Sequence, residues 1–562
     1  MKVLNFKESI DWDLVDKETN TGDIIVNIPQ YFIGFKQNND VLSKLNNMID
    51  SMKNNNSNHW LSFFYDANFN TVRKSIEESI NPQISNMTLL KDVSLISNGG
   101  EILDDINLLD TSFVDKADYI DVNNFMFGNK HKFKDRKTFR VLNSQEVGKS
   151  AGEFLTRKTL GRYHLDPACS PFVGVAYEYK TPTYKQFNYG YGRAFDFKTA
   201  KNLANLEAVE RYASEFYAYD FSKKTKYGSY KTLKSSGINV INPNRFTLEE
   251  KSKVTNQTEM FWTQGQALKD GTQVWIPEDL VVYGNNPSRK NYIRNINDSS
   301  NGVALGSNYT ESMICALLEL IERHSFLAVW YGGLKGRRVS NAKDFLDEDK
   351  RRVVEDLENE NIELNFFEIS VIENVFVVWG LVKNNGKNAT MATYTSAGAG
   401  FSLKDALDAA VTEVVVGYRV QANYHEHFPN IPRKIKTIDD HIEYYGNPKN
   451  ENEFEFIKEF STEVFNTQEP NIFDQYKSQE DLLNWLVTQK LNEFEDIYFV
   501  NLTSEKMAEH NLFVVKALIP GMLPMTFGSQ SLRINVDTIN KLRSSRSMSK
   551  ISNIIPRAHP FP

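Results

Sequence analysis

Residues 206–212 read LEAVERY and residues 318–324 read LELIERH, so nearly the same glutamate-rich heptad is written twice in one chain. In each copy two glutamates stand three residues apart, Glu207 with Glu210 and Glu319 with Glu322. On a helix that spacing puts both on one face, about one turn apart, where like charges repel. The flanking positions are apolar (Leu206, Val209, Leu318, Ile321), which predicts packed helices. For a lone E-x-x-E-R the ordinary reading is an exposed face on which Arg211 or Arg323 offsets the acids. Two copies on packed helices favour another: four carboxylates facing one another around a cation. Hard oxygen donors suit Mg2+, which keeps some waters and bridges nucleotide phosphates, while nearby arginines pair with the same phosphates. An ATP site is the expectation.

Working outward, the other nucleotide signatures are missing: there is no G-x-x-x-x-G-K-[ST] loop and no G-x-G-x-x-G after a strand. GYG at 190–192 is weak evidence, and Gly398 and Gly400 in SAGAG read as a phosphate-binding nest or, more simply, as a strand-to-helix turn. The 562 residues, 41% of them apolar, can bury a large core, and length alone predicts three or four domains. A net charge of -7 and a pI near 5.9 argue against a nucleic-acid partner. Two cysteines, Cys169 and Cys315, build neither a disulfide framework nor a zinc site, which fits a reducing cytoplasm. No apolar run is long enough to span a membrane, and the amino-terminal stretch lacks a secretory design.

Residues 1–129 combine strand-like DIIVNI with amphipathic helical pieces and the polar run KNNNSNH. KHKFKDRK at 130–137 reads as a linker, which divides the chain into 1–137 and 138–562. Beyond it, PFVGVAYEY reads as a strand and 197–218 as the helix of the first heptad. VFVVWGLVKNNGKNATMATYTSAGAG reads as two strands around a tight Asn-Gly turn, followed by the helix SLKDALDAAVTEVVVGYRVQA with Ser402 as its N-cap. Residues 435–495 read as acidic and mostly helical, LFVVKALIPGMLPMTFG as a buried strand broken by Pro-Gly, and the chain runs out in IIPRAHPFP. Cys169 with His164 and Asp166, the lone His324 and His441, and the aromatic run YASEFYAYDF have their ordinary readings as packed or structural residues.

Several of these stretches together resemble the YcaO family of ATP-dependent enzymes, above all its azoline-forming cyclodehydratases. YGRAFDFKTAKNLANLEAVERYASE resembles the family's first glutamate helix and NGVALGSNYTESMICALLELIERHSF its second, preceded by the NG-x-A-x-G turn. The likeness continues through GAGFSLKDALDAAVTEVVVGYR, TIDDHIEYYGNP and LFVVKALIPGMLP, over roughly residues 138–562. Ala304 stands where many relatives have a polar residue and Ser307 where others have Asn. The resemblance implies an α+β fold, a YcaO-type ATP-binding domain of mixed sheets and helices; residues 1–137, which the likeness does not cover, are expected to form a smaller α/β domain for partner or peptide docking. It implies that Glu207, Glu210, Glu319 and Glu322 hold Mg2+ bridging to ATP, with Glu311 and Arg323 completing the nucleotide pocket. Glu413 and Arg419 rank lower, being six residues apart and so on different faces of their helix.

The AHPFP ending resembles the proline-alternating tail of azoline-forming members, with Ala558 in place of the first proline. Alternating prolines hold a chain extended, so the resemblance makes the Pro562 carboxylate the candidate catalytic base. The implied reaction is cyclodehydration: a Cys, Ser or Thr side chain of a ribosomally made precursor peptide attacks the preceding amide carbonyl, and ATP phosphorylates the oxyanion. Phosphate then leaves a thiazoline or oxazoline, in the biosynthesis of an azole-containing peptide antibiotic, thiopeptide or bacteriocin. Implied partners are a leader-binding protein of the ubiquitin-activating-like type and a flavin-dependent azoline dehydrogenase, in a homodimer or hetero-oligomer. Thioamide or amidine formation by the same ATP chemistry, and an inactive YcaO-like binding scaffold, are the rival readings.

Overall fold

The computed structural model describes residues 130–562 apart from 135–137, 181–187, 217–224, 283–292, 387–388, 426–433, 469–471, 555–556 and residue 562. Before residue 130 it describes five strands, β1 (Lys2–Asn5), β2 (Ile24–Ile28), β3 (Tyr31–Phe35), β4 (Val93–Ile96) and β5 (Ile102–Asp105), in one sheet in that order. The IIVNI of DIIVNI thus lies on a strand, whereas KNNNSNH and the helical pieces expected in this segment fall outside the described residues.

After helix α1 (Ser144–Lys158), strands β6 (Leu160–Asp166), β7 (Val173–Lys180) and β8 (Asn188–Ala194) form an antiparallel sheet. This sheet shares one core with α1 and the long helix α2 (Phe197–Phe216), through Phe154, Leu155, Val175, Tyr177, Ala204 and Val209. The second sheet holds β9 (Thr225–Ser229), β10 (Glu259–Ala267), β11 (Gln273–Pro277) and β12 (Val303–Gly306), which leads into the 24-residue helix α3 (Tyr309–Gly332). The third contains β13 (Arg337–Val339), β14 (Ile362–Glu368), β15 (Phe376–Asn384) and β16 (Thr393–Gly400), with α4 (Glu348–Asn359) and α5 (Leu403–His425) beside it. Helix α6 (Ile438–Gly446) follows, then β17 (Ser461–Glu463), parallel to β13, and α7 (Gln479–Trp485). Strands β18 (Tyr498–Asn501) and β19 (Phe513–Leu518) return to the second sheet, in the order β11-β10-β18-β19-β12. Among the described residues no helix is long and apolar enough to cross a membrane.

Strand β15 has both faces buried, as its unbroken apolar run demands. Val377, Trp379 and Leu381 join the core around α3, while Val378 and Val382 join that around α5, the period of two expected of a strand. β15 and β16 pair antiparallel out to Lys383 and Thr393, so the hairpin is real. Its connection is longer than the tight Asn-Gly turn expected, because Asn384 N–H donates to the Ala392 carbonyl and the chain between them is longer than two residues. The stretch 435–495 is helical only in short pieces, and β17 interrupts it.

One local design recurs three times. β8, β12 and β16 each end two residues before a long helix, and the second linking residue caps it. Asp196 Oδ1 accepts from Thr199 N (2.9 Å), Asn308 Oδ1 from Glu311 N (2.9 Å) and Ser402 Oγ from Asp405 N (3.1 Å). Small residues let strand and helix backbones touch. A Cβ on Gly192 would lie 1.8 Å from the Ala200 carbonyl oxygen, and one on Gly398 would lie 2.5 Å from that of Ala406. This contact, not a phosphate nest, accounts for the glycines of GYG and SAGAG.

Candidate functional site

The recurring design fixes where the acids emerge. Counted from the caps at 196, 308 and 402, the eleventh residue is Glu207, Glu319 and Glu413, and the fourteenth is Glu210, Glu322 and Val416. Three helices entered the same way therefore present carboxylates at the same height, and Glu413 belongs to the set although its heptad is not repeated. The electrostatic coupling runs continuously: Glu207 and Glu319 act on Glu210, and Glu319 and Glu413 act on Glu322.

Backbone amides hold three of these groups. Glu207 Oε2 accepts from Tyr191 N (2.9 Å), Glu319 Oε2 from Gly302 N (2.9 Å) and Glu210 Oε2 from Leu305 N (3.1 Å), the last bridging α2 to β12. Burial, then the charges of Glu319 and Glu207, pushes the Glu210 carboxyl up to about 8. Burial, partly offset by Arg323, pushes Glu322 up to about 7, and burial raises Glu319 in the same direction. The cations present do not fully neutralise the cluster. Arg211 Nη2 lies 2.7 Å from Glu207 Oε1, Arg323 Nε lies 3.3 Å from Glu322 and Nη2 4.0 Å from Glu319, and Arg193 pairs with Glu413. Half-buried carboxylates short of positive charge, still open on one side, are the donor set that a hard divalent cation fits. Among the described residues no three His, Cys, Asp or Glu groups form a complete metal cage. Mg2+ does not require one: it takes one or two carboxylates and fills its remaining positions with water and phosphate oxygens.

Glu311 is placed differently from the other expected residues. It is fully buried and held by the Arg140 guanidinium (2.6 Å), Ser307 Oγ (2.7 Å) and Gln479 Nε2 (3.4 Å). Arg419 is turned away, in a two-pronged pair with Glu360 at 2.7 Å. Arg140 and Arg193 were missed by sequence reasoning. Arg193 sits in GYGRA at the end of β8, where burial opposes its charge but Glu413 and Glu207 outweigh it. Arg140 is separated from Glu311 by 171 positions and carries no local signal.

The tail is buried. Ala558, His559 and Phe561 are each at most 2% exposed, and the Arg323 guanidinium lies over the Phe561 ring, 4.1 Å from its centre. Pro562, the expected catalytic residue, lies outside the described residues. His324, on α3 beside Arg323, accepts from Leu523 N through Nδ1 (3.2 Å), and burial lowers it to about 4. Cys169 is buried, hydrogen-bonded to the Tyr191 hydroxyl at 2.6 Å and pushed up to about 11 by burial, which makes it a poor nucleophile.

The family described as YcaO cyclodehydratase, ATP- and Mg2+-binding, matches residues 191–523, more than half of the chain. No curated protein matches it. Among solved structures, a heterocyclase in complex with substrate and cofactor is similar at a TM-score of 0.62 and 13% identity, covering 100% of this chain and 81% of the other. YcaO from Methanopyrus kandleri, bound with AMPPCP and Mg2+, is similar at 0.50 and 18% identity, covering 70% of this chain and 94% of the other. At these identities the structures establish a shared fold.

Proposed function

The chain belongs to the YcaO family of ATP- and Mg2+-binding cyclodehydratases, and from that premise we propose that it closes azoline rings on Cys residues, and on Ser or Thr, of a ribosomally made precursor peptide. The observation carrying this reading is the run of partly buried carboxylates Glu207, Glu210, Glu319, Glu322 and Glu413, in which burial and mutual repulsion raise Glu210 and Glu322 and which added positive charge would relieve. Mg2+–ATP, when bound, supplies the phosphoryl group that makes an amide oxygen a good leaving group. The chain's own residues have four tasks in this reading. The carboxylates of α2 and α3 hold the cation, their orientations set by the amides of Tyr191, Gly302 and Leu305. Arg323 pairs with phosphate from between Glu319 and Glu322, and Glu311 fixes Arg140 at the edge of the same helix. The segment Ala558–Phe561 closes the site beside Arg323 and keeps water out. With Pro562 as the terminal residue, its carboxylate is our candidate acceptor for the proton steps.

A leader-binding partner would deliver the precursor, with residues 1–137 as its docking platform, and a flavin-dependent dehydrogenase would oxidise the rings. The test is to incubate the protein with ATP, Mg2+, its partner and a Cys-rich precursor and to read peptide mass. Loss of one water per ring supports the proposal. Exchange of oxygen for sulfur would instead mean thioamide formation, and an unchanged peptide would mean a binding scaffold.

A further inference from the structure

A chain segment near a terminus frays unless something ties it down. Residues 557–561 form neither helix nor strand, and Pro560 has no N–H to donate, so their order depends on what grips their carbonyls. The grip comes from α6. His441 Nδ1 lies 2.5 Å from the His559 carbonyl oxygen, and Gly528 N–H donates to His441 Nε2 at 2.9 Å. A main-chain N–H aimed at Nε2 requires a lone pair there, so the ring proton is on Nδ1 and donates to the tail. One turn further along α6, the Tyr445 hydroxyl donates to the Ala558 carbonyl oxygen. Two consecutive tail carbonyls are therefore held by side chains from one face of one helix. Beyond them, Phe561 packs edge-on against Phe326 of α3 (4.8 Å between ring centres) and under the Arg323 guanidinium. Arg323 in turn reaches Glu319 and Glu322.

We propose that His441, acting with Tyr445, is a positioning residue of the reaction: it clasps the tail so that Phe561 holds Arg323 in place over the carboxylate cluster. The clasp works only with neutral His441 in the Nδ1–H form. This rests on reading Ala558–Phe561 as part of the reacting site.

The test compares the full chain with its His441→Ala, His441→Asn and Tyr445→Phe variants, reading hydrogen exchange of a peptide spanning 557–561 together with kcat and the KM for ATP in ring formation. His441→Ala and Tyr445→Phe should each speed tail exchange and lower kcat by about tenfold, with the KM for ATP moved less than about threefold, as for an interaction that matters in the transition state. His441→Asn, whose amide can still donate to the His559 carbonyl, should recover part of the kcat. Unchanged exchange and unchanged kcat, or a rise confined to the KM, would overturn the proposal. If His441→Ala does not fold, Tyr445→Phe decides alone, since it removes one hydroxyl. Replacing 558–561 by Gly-Ser-Gly-Ser separates the two claims. Full activity there removes the tail from the site altogether, whereas lost activity with unaffected clasp variants removes only the clasp.

Discussion

The Arg323 guanidinium is bound on two sides: by Glu322 at 3.3 Å, its neighbour on α3, and by the face of Phe561, 4.1 Å away at the other end of the chain's catalytic region. Cation and ring together close one side of the acidic cluster, and the first prediction follows from their contact. Phe561→Ala should lower ring-forming kcat about tenfold by freeing Arg323, while Phe561→Trp, which keeps an aromatic face, should retain more of it. Steady-state kinetics with a Cys-containing precursor measure both.

Burial and the charges of Glu319 and Glu207 destabilise the ionised form of Glu210. Glu210→Gln should abolish detectable ring formation while leaving the melting temperature in Mg2+-free buffer unchanged or about 2 °C higher, because a neutral amide keeps the Leu305 contact without a buried charge. Calorimetry and a mass assay on one preparation give both answers. A large fall in melting temperature would mean that Glu210 is structural.

Arg140 and Glu311 form an ion pair whose acid is buried and whose base is 42% exposed. Removing the cation in Arg140→Ala strands the carboxylate, at a cost of about 2–4 kcal/mol, toward the low end for buried pairs because Arg140 is partly solvated. Adding Glu311→Gln should return much of the loss, read as the shift in a denaturant midpoint.

Three histidines set a pH dependence. Burial lowers His324 to about 4, lowers His559 to about 3, and lowers His441 from its ordinary 6.5. The hydrogen bond to the His559 carbonyl, then Asp440, opposes the shift at His441, and His441, then Arg323, adds to that at His559. A histidine whose folded value is depressed stabilises fully above its unfolded value, and that stability is lost as pH falls through the window down to the folded value. At pH 5 the loss is about 2 kcal/mol for each of His324 and His559. Glu210 and Glu322, raised to about 8 and about 7, act in the opposite sense, because their charge penalty is relieved as pH falls over the same range. The decline in melting temperature from pH 7 to pH 5 should therefore be read in the Glu210→Gln, Glu322→Gln double variant, with exchange of the tail rising over that range.

Arg419 supplies a negative control. Its partner Glu360 lies outside the cluster and is half exposed, so Arg419→Ala should leave ring formation intact and cost no more than about 1 kcal/mol. A loss of turnover would place Arg419 in the site after all.

The elements were legible wherever the signal was local. The helices of the two heptads, the Ser402 cap and the β15–β16 hairpin follow from periodicity and capping chemistry, and so does the close spacing of Glu207 with Glu210 and Glu319 with Glu322. The glycines of GYG and SAGAG were open to two readings because a sequence records a missing side chain without saying what fills the space. The answer, a helix backbone in contact, needs the fold.

What the sequence determined by itself is the acid pattern on each helix and the family likeness built on it, since both depend on spacing within a few turns. Only the tertiary structure decided that Glu413 joins the acids while Arg419 does not, that Arg140 crosses 171 positions to reach Glu311, and that His441 and Tyr445 grip a tail otherwise expected to fray. The physical reason is range. Helical phase and caps are set by neighbours along the chain, whereas the partner of a buried charge or carbonyl is set by whichever distant segment packing brings within about 3 Å.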